Sequence, residues 1–326
     1  MVIPGFFNTV LFNFREKRFI MSLQTVMWLG FAAIMAVMFA LDMGIFNRKS
    51  HEIKVSEALT WTLVWVMLAC VFDLLIWYAM GGAKALEFFA GYIIEESLSV
   101  DNLFVFIMIF GYFHVSRAHQ PKILKWGILG ALVMRGVFIL IGIGLMERFH
   151  WMIYLFGGIL IVTGIKMTYG GNERIDPEKN LLVRLVRKFV PITRRIRGDL
   201  FFVNRQGVRA ATPLFLTLLV VESSDVIFAV DSIPAVLAVT RDPFIVYTSN
   251  VFAIMGLRSL YYLLANVMEM FVYLKQGISC ILAFVGIKML LSDIVPISVY
   301  ASLGVIIGIL LLAIILSVTY GKKTRA

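Results

Sequence analysis

The chain has 326 residues, of which 60% are apolar and only 15% charged, against roughly 45–50% and 25% in a soluble domain. That composition cannot clothe a chain of this size in polar surface, so it excludes a soluble globular protein and predicts an all-α, polytopic membrane protein. A formal net charge of +10 would suggest nucleic acid in a soluble protein. Here 10 of the 30 Lys and Arg fall between residues 170 and 209, which reads as membrane topology and not as nucleic-acid binding.

In chain order, residues 1–22 form a short leader with Arg15, Lys17 and Arg18, and Met21 is a second candidate start. No signal-peptide cleavage site follows it. A transmembrane domain is expected over 23–326. Segments of about 20 apolar residues cross a bilayer as helices, and nine are predicted: 23–46, 57–80, 87–113, 123–146, 150–169, 210–238, 244–268, 274–292 and 297–320. The third and sixth carry acidic runs that should lower their hydropathy. Pro234 and several Ser residues further predict that these two are not straight, regular helices. The loops 47–56, 114–122, 170–209 and 269–273, with the C-terminus, hold most of the Lys and Arg. The positive-inside rule therefore places the C-terminus and the basic loop 170–209 in the cytoplasm, beside anionic membrane lipid, and the N-terminus outside.

Cys70 and Cys280 fall in mid-span of different helices, which predicts small buried apolar residues and no disulfide. His51, His114, His119 and His150 all lie at helix ends or in loops. Without an HxxxH or HExxH pattern they predict no zinc site.

Eight carboxylates lie inside apolar stretches: Asp42, Asp73, Glu95, Glu96, Asp101, Glu222, Asp225 and Asp231. Each costs roughly 2.5–3.5 kcal/mol at membrane depth and is rarely idle there. Most fall in two short runs, Glu95 to Phe104 in span three and Glu222 to Pro234 in span six. Only four bases, Arg135, Lys166, Arg258 and Lys288, share the membrane with them. A cation or protons must make up the difference. Asp42, at the end of span one, reads equally as a solvated helix end or an entry gate, and Asp73 is as evenly balanced.

An internal repeat links the two runs. Asp101-Asn102-Leu103-Phe104 matches Asp225-Val226-Ile227-Phe228 at an offset of 124, Arg135 matches Arg258 at 123, and Gly164-Ile165-Lys166-Met167 matches Gly286-Ile287-Lys288-Met289 at 122. Each copy, 87–169 and 210–292, contains three spans. An odd number of spans inverts the second copy relative to the first, an arrangement that puts binding sites near the midplane.

Glu222 and Asp225 are three residues apart and share one helical face. Asp231 is six beyond Asp225 and would point elsewhere unless Pro234 breaks the helix and swings it inward. Glu95 and Asn102, seven apart, share a face, whereas Glu96 and Asp101 do not. Carboxylates, Asn and Ser are hard oxygen ligands suited to Mg²⁺, Ca²⁺ and Mn²⁺. The candidate metal-binding set is thus Asp101, Glu222, Asp225, Asp231, Glu96 and Asn102, with Arg135 and Arg258 holding acids in place. The blander reading makes all of these acids partners of Arg135 and Arg258 in structural salt bridges.

Three motifs carry a family resemblance: Glu-x-Ser-Leu-x-Val-Asp-Asn-x-Phe beginning at Glu95, Glu-x-Ser-Asp-x-x-Phe-Ala-x-Asp-Ser-x-Pro beginning at Glu222, and Asn250-Val-Phe-Ala-Ile-Met-Gly-Leu-Arg258. Together they resemble the TerC family, from about residue 23 to the C-terminus. The resemblance implies a multi-pass protein of the bacterial inner membrane, related to exporters of the LysE type, and adds Asn250 to the supporting residues. It implies an exporter of Mn²⁺ or another hard divalent cation, with proton exchange, no tightly bound cofactor and no enzymatic activity. The alternative it implies is a membrane anchor whose cytoplasmic loop recruits soluble stress-response proteins. An intramembrane aspartyl protease would need a Gly-x-Gly-Asp motif, which does not occur.

Overall fold

A computed structural model describes residues 24–40, 55–169, 188, 191–193, 198, 200–205, 208–267, 273–295 and 297–320. The predicted leader, Asp42 and most of the basic loop lie outside these. Residues Met1–Ser50 form one compact unit, described by the helix α1 (Gln24–Ala40), and His51–Ala326 form a second. The second unit contains α2 (Val55–Met80), α3 (Gly82–Tyr112), α4 (Gln120–Arg148), α5 (Met152–Tyr169), strands β1 (Phe202–Arg205) and β2 (Val208–Ala211), α6 (Pro213–Leu237), α7 (Pro243–Val267), α8 (Leu274–Leu290) and α9 (Val299–Tyr320). Among the described residues nine helices therefore stand where nine spans were predicted, with ends a few residues from the expected ones. Counting described residues only, four of them are long and apolar enough to cross a membrane: α2, α4, α6 and α9. α3 falls outside that class because of its acids, as anticipated. α6 does not, because its best window carries few enough charges.

Turn chemistry punctuates the bundle. Gly81, at φ +91°, links α2 to α3 in a conformation that L side chains avoid. Pro stands at the start of both α4 and α6, where a missing N–H costs nothing. The hairpin β1–β2 is absent from the predicted elements: Phe202 pairs with Ala211 and Arg205 with Val208. It is seated on the bundle by aromatic contacts, Phe202 on Phe215 of α6 at 4.5 Å and Phe201 against Trp126 of α4. Its alternation was hidden among the many basic residues around it.

The helices pack as the repeat requires. α5 lies mainly on α8, its own counterpart, while α3 packs on α7 and α4 on α6, and these two pairs interchange when the copies are exchanged. The α5–α8 crossing is reciprocal to the residue. A Cβ added at Gly157 would lie 2.9 Å from the Gly286 carbonyl oxygen, and one at Gly164 would lie 2.8 Å from the Ser279 carbonyl oxygen. At the offset of 122, Gly157 corresponds to Ser279 and Gly164 to Gly286, so one contact maps onto the other with the chain direction reversed. Small residues let backbones meet where lipid tails offer no hydrophobic contrast. The Ser279 hydroxyl adds a bond to the Gly164 carbonyl and contacts Thr168.

Both acid-bearing helices run without interruption, which corrects the expectation of broken spans. Pro234 is accommodated three residues before α6 ends, where the freed carbonyl lies next to α6's last turn. Cys70 and Cys280 are free thiols as expected, but neither is buried: Cys70 is half-buried and Cys280 is exposed on α8.

Outside the spans, Asp293 follows α8 and ties it to the turn before α5. Its Oδ2 accepts from Tyr154 Oη at 2.6 Å and meets His150 Nε2 at 2.9 Å. These bonds, Tyr154 first, hold its carboxyl below the usual carboxylate range. A depressed folded value means stabilisation that is complete above the ordinary carboxylate pKa and disappears as pH falls through the lowered one. The melting-temperature difference between the native chain and Asp293→Asn in detergent should therefore be constant near neutral pH and shrink in acid. At the helix crossing, Gly286→Leu should cost about 1–3 kcal/mol or more by overpacking. Gly158→Ala, whose Cβ meets nothing within 4 Å, should not lower the melting temperature, since alanine is the better helix former.

Candidate functional site

The site is assembled around Arg135, in the middle of α4 and only 2% exposed. Its Nη2 donates to Asp225 Oδ1 at 3.0 Å and its Nε reaches Asp225 Oδ2 at 3.4 Å, a two-pronged pairing with α6. Nη1 donates to Glu95 Oε1 of α3, and also meets Ser232 Oγ and Asn250 Oδ1 at 3.4 Å each. Asn250 Nδ2 in turn donates to Glu95 Oε2 at 2.8 Å. Four helices, α3, α4, α6 and α7, are thus joined by one guanidinium. Glu95, Asn102, Asp225, Ser232 and Asn250 are all buried. The planar fork of arginine suits this task, because it presents five donors in fixed directions and stays charged.

Sequence spacing accounts for part of this. Asp225 and Ser232 are seven residues apart on α6, nearly two turns, and so point the same way. Ser232 was not among the candidate residues. The seven-residue spacing from Asp225 was the available signal for it.

Next to the clasp is a narrow cavity lined by Phe106, Ala131, Glu222, Asp225, Leu257 and Arg258, among others. Glu222 and Asp225 share the face predicted for them. Among the described residues the Glu222 carboxylate makes no hydrogen bond or ion pair. It occupies space left by Gly130 of α4, where any Cβ would collide with it. The repeat relates this cavity to the clasp. Arg258 corresponds to Arg135, but the counterpart of Asn250 is Gly127 and that of Ser232 is Met108. Two of the groups that fill the cage around Arg135, Asn250 and Ser232, thus have no polar counterpart in the other copy, and Gly127 lines the cavity.

Other candidates lie apart. Asp231 is turned to α5 and accepts from Thr163 Oγ1 at 2.8 Å, the direction a straight helix gives it. It does not join Asp225. Glu96 faces α2 and α7: its Oε1 would lie 3.8 Å from a Cβ on Gly256, and its Oε2 has no hydrogen-bond partner among the described residues. Asp73 of α2 likewise has one buried, unpartnered oxygen. Asp101 belongs to α3, but its side chain is not among those described, and Asp42 lies outside the described residues. No group of three or more His, Cys, Asp or Glu among the described residues is arranged to hold a metal ion.

Long apolar helices paired as inverted triplets, with charge buried between them, define a multi-pass integral membrane protein. The chain belongs to the TerC family: residues 80–325 match the integral membrane protein TerC family. It is 45% identical over 301 residues to the Escherichia coli K12 protein described as "Putative membrane-bound redox modulator Alx", covering 90% of this chain and 94% of that protein. The Alx protein of Salmonella typhi is 42% identical over 92% of this chain and 98% of its own length. A membrane protein of Myxococcus xanthus, STKORF319, is 49% identical over 74% of this chain and 76% of its own. No solved structure matches significantly.

Removing the arginine should leave two buried carboxylates without their partner. Arg135→Met is expected to cost about 3–5 kcal/mol, the usual penalty for breaking a buried pair from one side. The triple variant Arg135→Met/Glu95→Gln/Asp225→Asn should recover part of that loss, read as thermal stability of the detergent-solubilised protein.

Proposed function

We propose that the chain exports a divalent cation, with Mn²⁺ as the preferred cargo, and that the cavity holding Glu222 is its binding place. The observation that carries this reading is an unpaired carboxylate at membrane depth, lining a cavity beside a second carboxylate. A group so costly to bury is supported by something that visits, since no described residue engages it. The donors are hard oxygens from Glu222 and Asp225, with Asp101 and Asn102 of α3 proposed to complete the set. Such donors favour a hard divalent cation over Zn²⁺ or Cu⁺.

Charge counting supports coupling to protons. Within the clasp and the cavity, Glu95, Asp225 and Glu222 face two guanidiniums, Arg135 and Arg258, which leaves one carboxylate in excess. An arriving dication offsets that excess, and protons can replace it when the cation leaves, because a protonated carboxyl is a poor ligand. The positive-inside rule orients the export: the side of the β1–β2 hairpin faces the cytoplasm, where the cation enters, and the protein resides in the inner membrane.

The structure changes which substitution tests this best. Asp225 is bound by Arg135, so Asp225→Asn disturbs the clasp as well as the cavity. Glu222→Gln keeps shape and removes charge from a group that holds nothing else together. In a strain lacking its own Mn²⁺ exporters, the native chain should restore growth in excess Mn²⁺ and lower cellular Mn²⁺ several-fold. Glu222→Gln, at equal membrane level, should do neither. Normal export by that variant would end the assignment of this cavity.

A further inference from the structure

The cavity is closed toward one face of the bundle, and the closure has a device of its own. Apart from Asp225, which belongs to both, the cavity-lining residues lie on the hairpin side of the Arg135 clasp: Phe106 is eleven residues beyond Glu95 on α3, Leu124 is eleven before Arg135 on α4, and Arg258 is eight beyond Asn250 on α7. Toward the opposite face the same helices are sealed. A Cβ on Gly91 of α3 would lie 2.9 Å from Ser249 Oγ of α7 and 3.3 Å from Val236 Cγ1 of α6. Phe88, Val236, Phe244, Ile245 and Val246 around it are fully buried.

Above this seal, one helical rise of eight residues or ~12 Å from Glu95, sits a charged network. Lys84 Nζ donates to Glu87 Oε2 at 2.8 Å and contacts Asp242 Oδ2 at 3.2 Å. Thr240 Oγ1 donates to the same Glu87 oxygen at 2.5 Å. Asp242 also caps α7, its Oδ1 accepting from the Phe244 N–H at 3.0 Å. The start of α3 is thereby tied to the turn between α6 and α7. The tie joins the two repeat copies at their far edge and uses none of the residues in the clasp or the cavity.

We propose that Lys84, Glu87, Thr240 and Asp242 form the gate on the Gly81 face, shut in this structure, and that α3 parts from the α6–α7 turn at this network when the cavity opens to that side. A single ammonium between two carboxylates makes the closed state depend on Lys84: without it, Glu87 and Asp242 repel across the joint. The proposal rests on the transport reading, but its test needs no transported ion.

Two reporters are placed separately in a chain carrying Cys70→Ala and Cys280→Ala: Ser249→Cys in the seal and Ala131→Cys in the cavity. Each is labelled with a membrane-impermeant maleimide, in intact cells and in inverted vesicles. With Lys84 present, Ser249→Cys should label slowly from the Gly81 face. Lys84→Met should raise that rate at least five-fold and lower labelling of Ala131→Cys from the hairpin face, whereas Lys84→Arg should not. Thr240→Val, which removes the hydroxyl's bond to Glu87 and its acceptance from the Asp242 N–H at 3.2 Å but leaves Lys84 in place, should give a smaller change in the same direction and serves if Lys84→Met does not reach the membrane. Unchanged labelling of both reporters in variants at normal membrane level would overturn the gate. So would equally fast labelling of Ser249→Cys with Lys84 in place. If Mn²⁺ export fails its own test while the labelling shifts as described, the gate stands and the cargo is reassigned.

Discussion

Burying a guanidinium among carboxylates inside an apolar bundle is the constraint on which the rest of this structure depends. Taking such charges out of water costs several kcal/mol per ion even after relaxation, and only tight pairing with further hydrogen bonds offsets it. Arg135 meets that condition by drawing on four helices at once. Glu95, Asp225, Ser232 and Asn250 each supply oxygen, and Asn250 also donates back to Glu95. Helix register at the centre of the molecule follows from this need, because a slip in any one of the four would strand a buried charge.

The reciprocal α5–α8 crossing and the α3–α7 and α4–α6 pairs show two copies of one packing scheme, yet the copies have diverged in polar content. One arginine is enclosed by polar partners. The other borders a cavity, and its copy carries glycine and methionine at the positions of asparagine and serine. A duplicated scaffold can in this way supply rigidity from one half and space from the other, with Asp225 belonging to both. The same asymmetry recurs along the bundle axis, where dense packing and an ion network close one face while the cavity lies toward the other.

Membership in the TerC family and the arrangement of charge are independent supports, and they bear on different questions. The family establishes an integral membrane protein. The cavity beside Glu222 is what directs attention to cation handling, since a carboxylate without a partner among the described residues calls for a transient one. The free thiols Cys70 and Cys280 lie on different helices, α2 and α8, and take no part in this arrangement.

Membrane class, the nine helices and the inverted repeat were legible in the sequence, because each follows from local composition or from spacing that the chain itself carries. Apolar length sets a span, and an odd number of spans sets the inversion. The shared face of Glu222 and Asp225 was legible too, being a property of one helix. What Arg135 would bind was not, because the choice between Glu95, Asp225 and the other acids is made by helices that meet across long sequence separations. The expected break at Pro234 failed for a related reason: so near the end of α6, proline removes little, and tertiary contacts with Thr163 give Asp231 a partner where it already points. The hairpin, the Lys84 network and the glycine-made cavity belong to the same class. Each is decided by which side chain stands opposite another, and only the packed bundle brings those opposites together.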